Sequence, residues 1–455
     1  MSGTHRYVLR GTLEFTTPFL IGAGREGDVA DAVFVADPNG LPAIPGSSLA
    51  GVLRARFRER YQEETTHRLF GFQQKDQGEG SRLAVSWGCL HDSQDVPVEG
   101  VADPERLKDP VLAHAQVPTL RDHVRITHRG ASDAAGHGKF DEQAVCAGHR
   151  FSFELEMIGT EAEGDLWDKL LDLLGDPALR LGGKTRRGYG AFQFVRLAQR
   201  VFDLRRDFEA YRALPVSLTG LQGLKELSCP RRAEETVTLT LRPRGYWMFG
   251  GGADLPEQPG EADMAPVRDS RVVWTKDGKG TVQRDLLVVP ASGIKGALAH
   301  QVAFYANAQA GTFADGLKTE DFATVTGSEN PVVRELFGCT KDSKGDKEDR
   351  GQRGRVILDD LFLDGAYVSQ LVHHVGIDRF TGGARDQVLF CERPLWQGDP
   401  LVFALGVAEA DHLSDEALRA LRRALEDLAQ GRLQVGAGSG RGCGYFEGTI
   451  TWPRW

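Results

Sequence analysis

Leu181-Gly-Gly-Lys-Thr-Arg-Arg-Gly-Tyr-Gly-Ala-Phe192 and Val435-Gly-Ala-Gly-Ser-Gly-Arg-Gly-Cys-Gly-Tyr-Phe446 are one passage written twice. They align without a gap at an offset of 254 residues, so Gly182, Arg187, Gly188, Gly190 and Phe192 fall on Gly436, Arg441, Gly442, Gly444 and Phe446. Solenoid repeats recur at periods of about 20–50 residues, whereas a repeat at domain-sized spacing marks a duplicated domain. Further landmarks keep the same order in both halves. Pro45-Gly-Ser-Ser-Leu49 returns as Pro290-Ala-Ser-Gly-Ile294, and Leu69-Phe-Gly71 as Leu336-Phe-Gly338. His123-Val-Arg-Ile126 returns as His374-Val-Gly-Ile377, and Phe140-Asp-Glu142 as Phe390-Cys-Glu392.

The 455 residues suit two or three domains. Hydrophobic content of 41% and charged content of 26% place the chain among globular proteins. No apolar run is long enough to span a membrane. The start, Met1-Ser-Gly-Thr-His-Arg-Tyr7, does not read as a signal peptide. Six scattered cysteines without a CxxC argue against a disulfide framework or zinc site and fit a reducing cytoplasm. A net charge of −9 is unusual for a nucleic-acid binder, but the arginines cluster beside the glycine motifs, and local field decides where a polyanion docks.

Tyr7–Phe15, Phe151–Met157, Val237–Leu241 and Leu401–Leu405 read as strands. A helix is expected after Ser47 and Ser48, its natural N-caps, with Leu49, Val52, Leu53 and Phe57 on one face. A second is expected from Ser414 to Gln430, striped by Leu418, Leu421, Leu425 and Leu428 and ended by Gly431. Its counterpart runs from Asp165 to about Leu174. Strands with returning helices in each half predict an α+β fold, two tandem ferredoxin-like (RRM-like) domains with loop and hairpin insertions. The boundaries are drawn at 1–200 and 235–455, with 201–234 as linker. Residues 340–355, almost without apolar side chains, read as a mobile loop.

The Gly-Arg runs follow helices rather than strands, so they fail the context test for a dinucleotide fingerprint. They are either anion-binding loops, with Lys184, Arg186, Arg187 and Arg441 supplying charge, or tight turns whose glycines take positive φ. The helix starts at Ser47/Ser48 and Ser292, with Arg54 and Lys295 in the first turns, are natural anion sites or plain caps. Asp28, Asp31 and Asp37 precede the first helix, and Asp269 is taken as the counterpart of Asp31. These acids are metal ligands, a base for a ribose hydroxyl, or a solvated loop. His123, Arg125, His128 and Arg129 are echoed by His373, His374, Asp378 and Arg379, whose histidines are either acids or bases near neutral pH or hydrogen-bonded structural groups.

In this order and duplicated, the Pro-Gly-Ser-Ser-Leu helix start, the Leu-Phe-Gly, the Ile377-Asp-Arg-Phe-Thr-Gly-Gly-Ala384 segment and the Gly-rich loops resemble the RAMP superfamily, which builds type III CRISPR effector complexes. The chain looks like a fused double backbone subunit, as in type III-D-like complexes. The resemblance implies a cytoplasmic endoribonuclease subunit that holds guide RNA and cuts the paired target RNA. Its partners would be guide RNA, target RNA and other effector subunits, with no membrane. It implies catalytic Asp31, six residues before a second acid, Asp37, and Asp269, which matches the pattern less well because Thr275 stands in place of the second acid. Mg2+ or another divalent cation, with Asp31 as ligand, would assist 2′-hydroxyl attack. Ser47, Ser48, Arg54, His123, Arg125, Arg129, Lys184, Arg186, Arg187, Ser292, Lys295, His374, Arg379 and Arg441 would contact RNA. A protruding hairpin would displace one nucleotide per repeat. The competing readings are a non-catalytic guide-binding scaffold and a histidine-dependent enzyme that matures precursor guide RNA.

Overall fold

The computed structural model describes residues 3–23, 34–117, 119–127, 130–132, 138–176, 178–229, 236–252, 262–318, 321–339, 351–365 and 367–453. In the first half, strand His5–Phe15 lies between Arg150–Gly159 and Phe192–Asp203, and Leu83–Val85 pairs with the far side of Arg150–Gly159. All these pairs are antiparallel, and Leu9 faces Leu155 on one side and Gln199 on the other. Helices Gly46–Arg60 and Gly164–Leu173 complete a βαββαβ unit. In the second half Thr236–Pro243 lies between Leu401–Val407 and Phe446–Thr451, with Val356–Leu358 beyond Leu401–Val407. Helices Ala291–Gln309 and Asp415–Ala429 occupy the corresponding places. Both sheets therefore have the ferredoxin-like order, with the first strand between the third and the fourth.

Alternation accounts for the strands. Val237, Leu239 and Leu241 point into the core, with less buried threonines between them. In the last helix Ser414 accepts a hydrogen bond from the Ala417 amide, and Leu421, Leu425 and Leu428 are fully buried. Each half has its own core, one around Leu9, Phe57, Trp167 and Phe151, the other around Leu239, Leu298, Trp247 and Leu425. Two expectations are corrected. The first helix begins at Gly46 after Pro45, and neither Ser47 nor Ser48 caps it with its side chain. The segment drawn as a linker instead extends the first domain. Lys225–Leu227 adds an edge strand beside Gln199, and Arg10 donates to the carbonyls of Pro215, Ser217 and Gly220.

Each domain inserts a β-hairpin, Thr119–Val124 with Lys139–Ala144 in the first and Val372–Ile377 with Ala384–Glu392 in the second. The domains meet at a built junction. Ala147 forms a parallel bridge with Arg271, the Val272 amide donates to Ala147 O at 2.9 Å, and Trp274 Nε1 donates to Gly148 O at 2.7 Å. A Cβ on Gly148 would stand 1.9 Å from Val272 O, so only glycine permits this approach. Among the described residues, no helix is long and apolar enough to cross a membrane. Most of the 340–355 loop lies outside the described residues.

Candidate nucleic-acid interface

The two Gly-rich loops pack against the segment after each first strand. A Cβ on Gly182 would meet Leu20 O at 2.4 Å, and one on Gly436 would meet Met248 O at 2.3 Å. The Gly183 and Ala437 amides donate to those same carbonyls at 2.8 and 2.7 Å. The glycines thus serve the turn, and several loop amides, including those of Arg187 and Gly190, are spent on protein carbonyls. What the loops offer outward is side-chain charge.

That charge is organised by a glutamate at each hairpin root. Glu142, buried, is ion-paired with Lys184 and lies 3.5 Å from Arg187 and 3.6 Å from His123 Nε2. Phe140 stacks on His123 with centroids 5.2 Å apart, and the Arg187 guanidinium lies 5.2 Å from the Phe140 centroid. In the second domain Glu392 is ion-paired with Arg441 and lies 3.2 Å from His374 Nε2. Phe390 stacks on His374 at 4.7 Å, and Arg441 lies 5.4 Å from its centroid. The same four residue types meet in the same arrangement twice. Burial, and then the cations Arg187, Arg121 and Lys184, lower the His123 pKa against the opposing pull of Glu142. Arg187 and Arg441 keep 46% and 42% of their side-chain surface open, enough to meet an RNA backbone. Glu142 and Glu392 were visible as repeated landmarks, but nothing in the sequence tied them to the glycine loops.

The acid register is corrected. Gly22 bridges Phe34 and Gly250 bridges Pro266, and the Val35 and Val267 amides donate to Ile21 O and Phe249 O. Phe34 therefore corresponds to Pro266. Counting back three residues in each half pairs Asp31 with Asp263, and counting forward three pairs Asp37 with Asp269. The six-residue spacing of the two acids is kept in both halves, and Thr275 is not at issue. Asp269 is no open carboxylate. It is ion-paired with Arg121, which is equally buried, and it accepts from Thr119 Oγ1 at 2.9 Å. Asp263 is exposed at the root of the second hairpin, where its carboxylate accepts from the Cys391 amide at 2.7 Å. Asp28, Asp31, His128 and Arg129 lie outside the described residues.

The two helix starts differ. At the second, Asp360 accepts the Ala291 amide at 2.8 Å and fills the place an anion would take beside Ser292. Lys295 is buried, donating to Arg186 O and to Val356 O at 2.8 Å, so it braces the junction and does not face an open RNA surface. Arg186 donates from Nε to Gly354 O at 2.7 Å across the same junction. The first helix start, with Ser47 and Ser48, opens onto a cavity of about 510 Å³ that Arg56, Arg180 and Arg353 also line. Arg54 is half-buried on that helix, while Arg125 and Arg379 are exposed on the hairpins. Among the described residues no three His, Cys, Asp or Glu side chains gather as a metal site.

A family model described as RAMP superfamily matches residues 12–193 and 273–447, well over half of the chain and one region in each half. No curated protein matches the chain.

Proposed function

The chain belongs to the RAMP superfamily, and from that premise we propose that it is a guide-RNA-binding double backbone subunit of a type III CRISPR ribonucleoprotein that cuts the base-paired target RNA. Membership places it with RNA-binding subunits of multisubunit CRISPR complexes. The finer reading is supported by one observation above the others. The corrected register gives the second domain an exposed acid, Asp263, at the hairpin root, six residues before Asp269, as Asp31 stands six before Asp37.

In this reading Arg187 and Arg441, held over Phe140 and Phe390 by Glu142 and Glu392, meet RNA phosphates without reading bases. Guide pairing supplies the sequence. Asp31 and Asp263 each withdraw the proton of a target 2′-hydroxyl, whose oxygen attacks the adjacent phosphorus. The bond to the 5′ oxygen breaks, and that oxygen takes a proton from water, leaving a cyclic phosphate and a 5′-hydroxyl. Mg2+, which commonly binds through one or two carboxylates plus substrate phosphates, would take Asp31 or Asp263 as its protein ligand and neutralise charge on the phosphate.

A scaffold without cleavage is the second reading. It is favoured by the burial of Asp269 in an ion pair and by the engagement of Asp263 with a backbone amide. Target-RNA cleavage by the assembled complex with Mg2+ separates the two. Asp31→Ala and Asp263→Ala are each expected to erase one cut and leave complex assembly unchanged. Survival of every cut in the double variant would leave the scaffold reading standing.

A further inference from the structure

We infer that the chain associates head to tail with further copies of itself, the open end of the second domain seating the first domain of the next copy. This assembly needs no RNA. In the junction inside the chain, the first domain presents arginines and the second presents carboxylates. Arg121 is ion-paired with Asp360 and Asp269, and Arg180 with Asp359. The duplication leaves a copy of each face at the two ends of the chain. A contact between two unlike faces does not close on itself, so it can repeat.

Backbone pairing fixes the counterparts. Arg121 pairs with Glu142 across its hairpin as Val372 pairs with Glu392, so Val372 stands for Arg121. The Leu181 amide donates to Gly190 O as the Val435 amide donates to Gly444 O, so Gln434 stands for Arg180. The Arg82 amide donates to Leu69 O as the Arg355 amide donates to Leu336 O. Further along the same strand, Ser86 and Trp87 therefore stand for Asp359 and Asp360.

The replacements on the two ends match each other. Repeating the junction between copies brings Val372 to Trp87 where Arg121 meets Asp360, and Gln434 to Ser86 where Arg180 meets Asp359. Each ion pair is exchanged as a pair, once for an apolar contact and once for a neutral polar one. A charge kept on one side alone would be buried without its partner, and neither pair keeps one. Asp37, which stands for Asp269, is spent in its own turn, where it accepts from the Asn39 and Leu41 amides at 2.8 and 2.9 Å. Lys295, which donates to Arg186 O inside the chain, is Ala50 at the open end, and Arg186 is Gly440.

Size is matched as well. Inside the chain, Val272, Trp274 and Val282 of a long hairpin lie over the small Cys146. At the place of that hairpin the first domain has only a tight turn, closed by the bridge between Ala36 and Pro42. The counterpart of Cys146 is Trp396, a side chain large enough to reach a shorter partner. It is 43% exposed, with Tyr246 edge-on at 4.5 Å. Trp87, at the other end, is 53% exposed. Tryptophan is enriched among the residues that dominate binding energy in interfaces.

The test is sedimentation of the full chain, without RNA, over a range of concentrations. The parent is expected to show a mass that keeps rising with concentration, because each added copy brings a new open end. Trp87→Asp and Val372→Arg are each expected to weaken association at least about tenfold. The double variant rebuilds the Arg121–Asp360 pair between copies and is expected to return to within about threefold of the parent. Melting temperatures equal to the parent's show that the variants keep the fold. If Val372→Arg melts lower, Gln434→Arg with Ser86→Asp makes the same test on the other pair. A chain that stays monomeric at every concentration overturns the inference. So does growth that stops at a dimer, which marks a contact between like faces. A mass that rises identically in the parent and both single variants puts association on another face and overturns it too.

Discussion

Arg121, on the hairpin of the first domain, is ion-paired with Asp269 of the second, and both side chains are almost wholly buried. Asp360 closes the other side of the same guanidinium. Desolvating three charges is expensive, and removing one member of a buried pair typically costs about 3–5 kcal/mol because the other is stranded. Arg121→Met strands two carboxylates, whereas Asp269→Asn leaves Arg121 with Asp360. Urea unfolding is therefore expected to show a loss of about 3–5 kcal/mol for Arg121→Met and a smaller one for Asp269→Asn. Equal stability of Arg121→Met and the parent would refute the junction as drawn.

The paired glutamates give a second expectation. Glu142 and Glu392 each bind a hairpin root to a Gly-rich loop through an arginine. Replacing either by Gln keeps the shape and removes the charge that the hydrogen bonds depend on. Bonds to charged groups are worth about 1.5–3 kcal/mol. Hydrogen exchange of the 119–124 and 139–144 amides should accelerate at least tenfold in Glu142→Gln, and that of the 384–392 amides likewise in Glu392→Gln. Unchanged exchange at both hairpins would mean the glutamates do not hold them.

Much of this was legible in the sequence. The duplicated passages announced two domains because each glycine and arginine marks a turn that the fold repeats. The alternation of Val237, Leu239 and Leu241 and the leucines after Ser414 announced strand and helix because burial imposes those periods. The acid register was not legible. Each half carries two acids six residues apart, Asp31 and Asp37 in the first and Asp263 and Asp269 in the second, so without the backbone pairing the second acid of one half was matched to the first acid of the other. Nor was the fate of Lys295 legible. A lysine in a first helical turn reads as a phosphate ligand, but here the neighbouring domain covers it, and its ammonium donates to Arg186 O. Burial by a second domain leaves no local mark on the sequence.

His149 supplies a pH dependence. Its side chain is fully buried with neither ring nitrogen bonded, and burial, helped by the nearby His114, pushes its pKa down to about 3. The unfolded imidazole titrates near 6.5. Between these values the unfolded chain binds a proton that the folded chain does not, so stability falls as pH drops from about 6.5 towards 3. His149→Leu should flatten that fall, and urea midpoints measured at pH 7 and pH 4.5 for both proteins would reveal it. A parent-like decline in His149→Leu would assign the acid sensitivity elsewhere.

Lys295 gives the opposite end of the pH scale. Burial first, and then Arg186, Arg180 and Arg187, push its pKa from the usual 10.5 down to about 7, although two carbonyls accept from it. Above pH 7 the folded chain has released a proton that the unfolded chain still holds, so stability should rise with pH from about 7 towards 10. Lys295→Met should abolish the rise. Urea midpoints measured at pH 7 and pH 9.5 for both proteins read the effect, and a parent-like rise in Lys295→Met would assign the alkaline stabilisation to other groups.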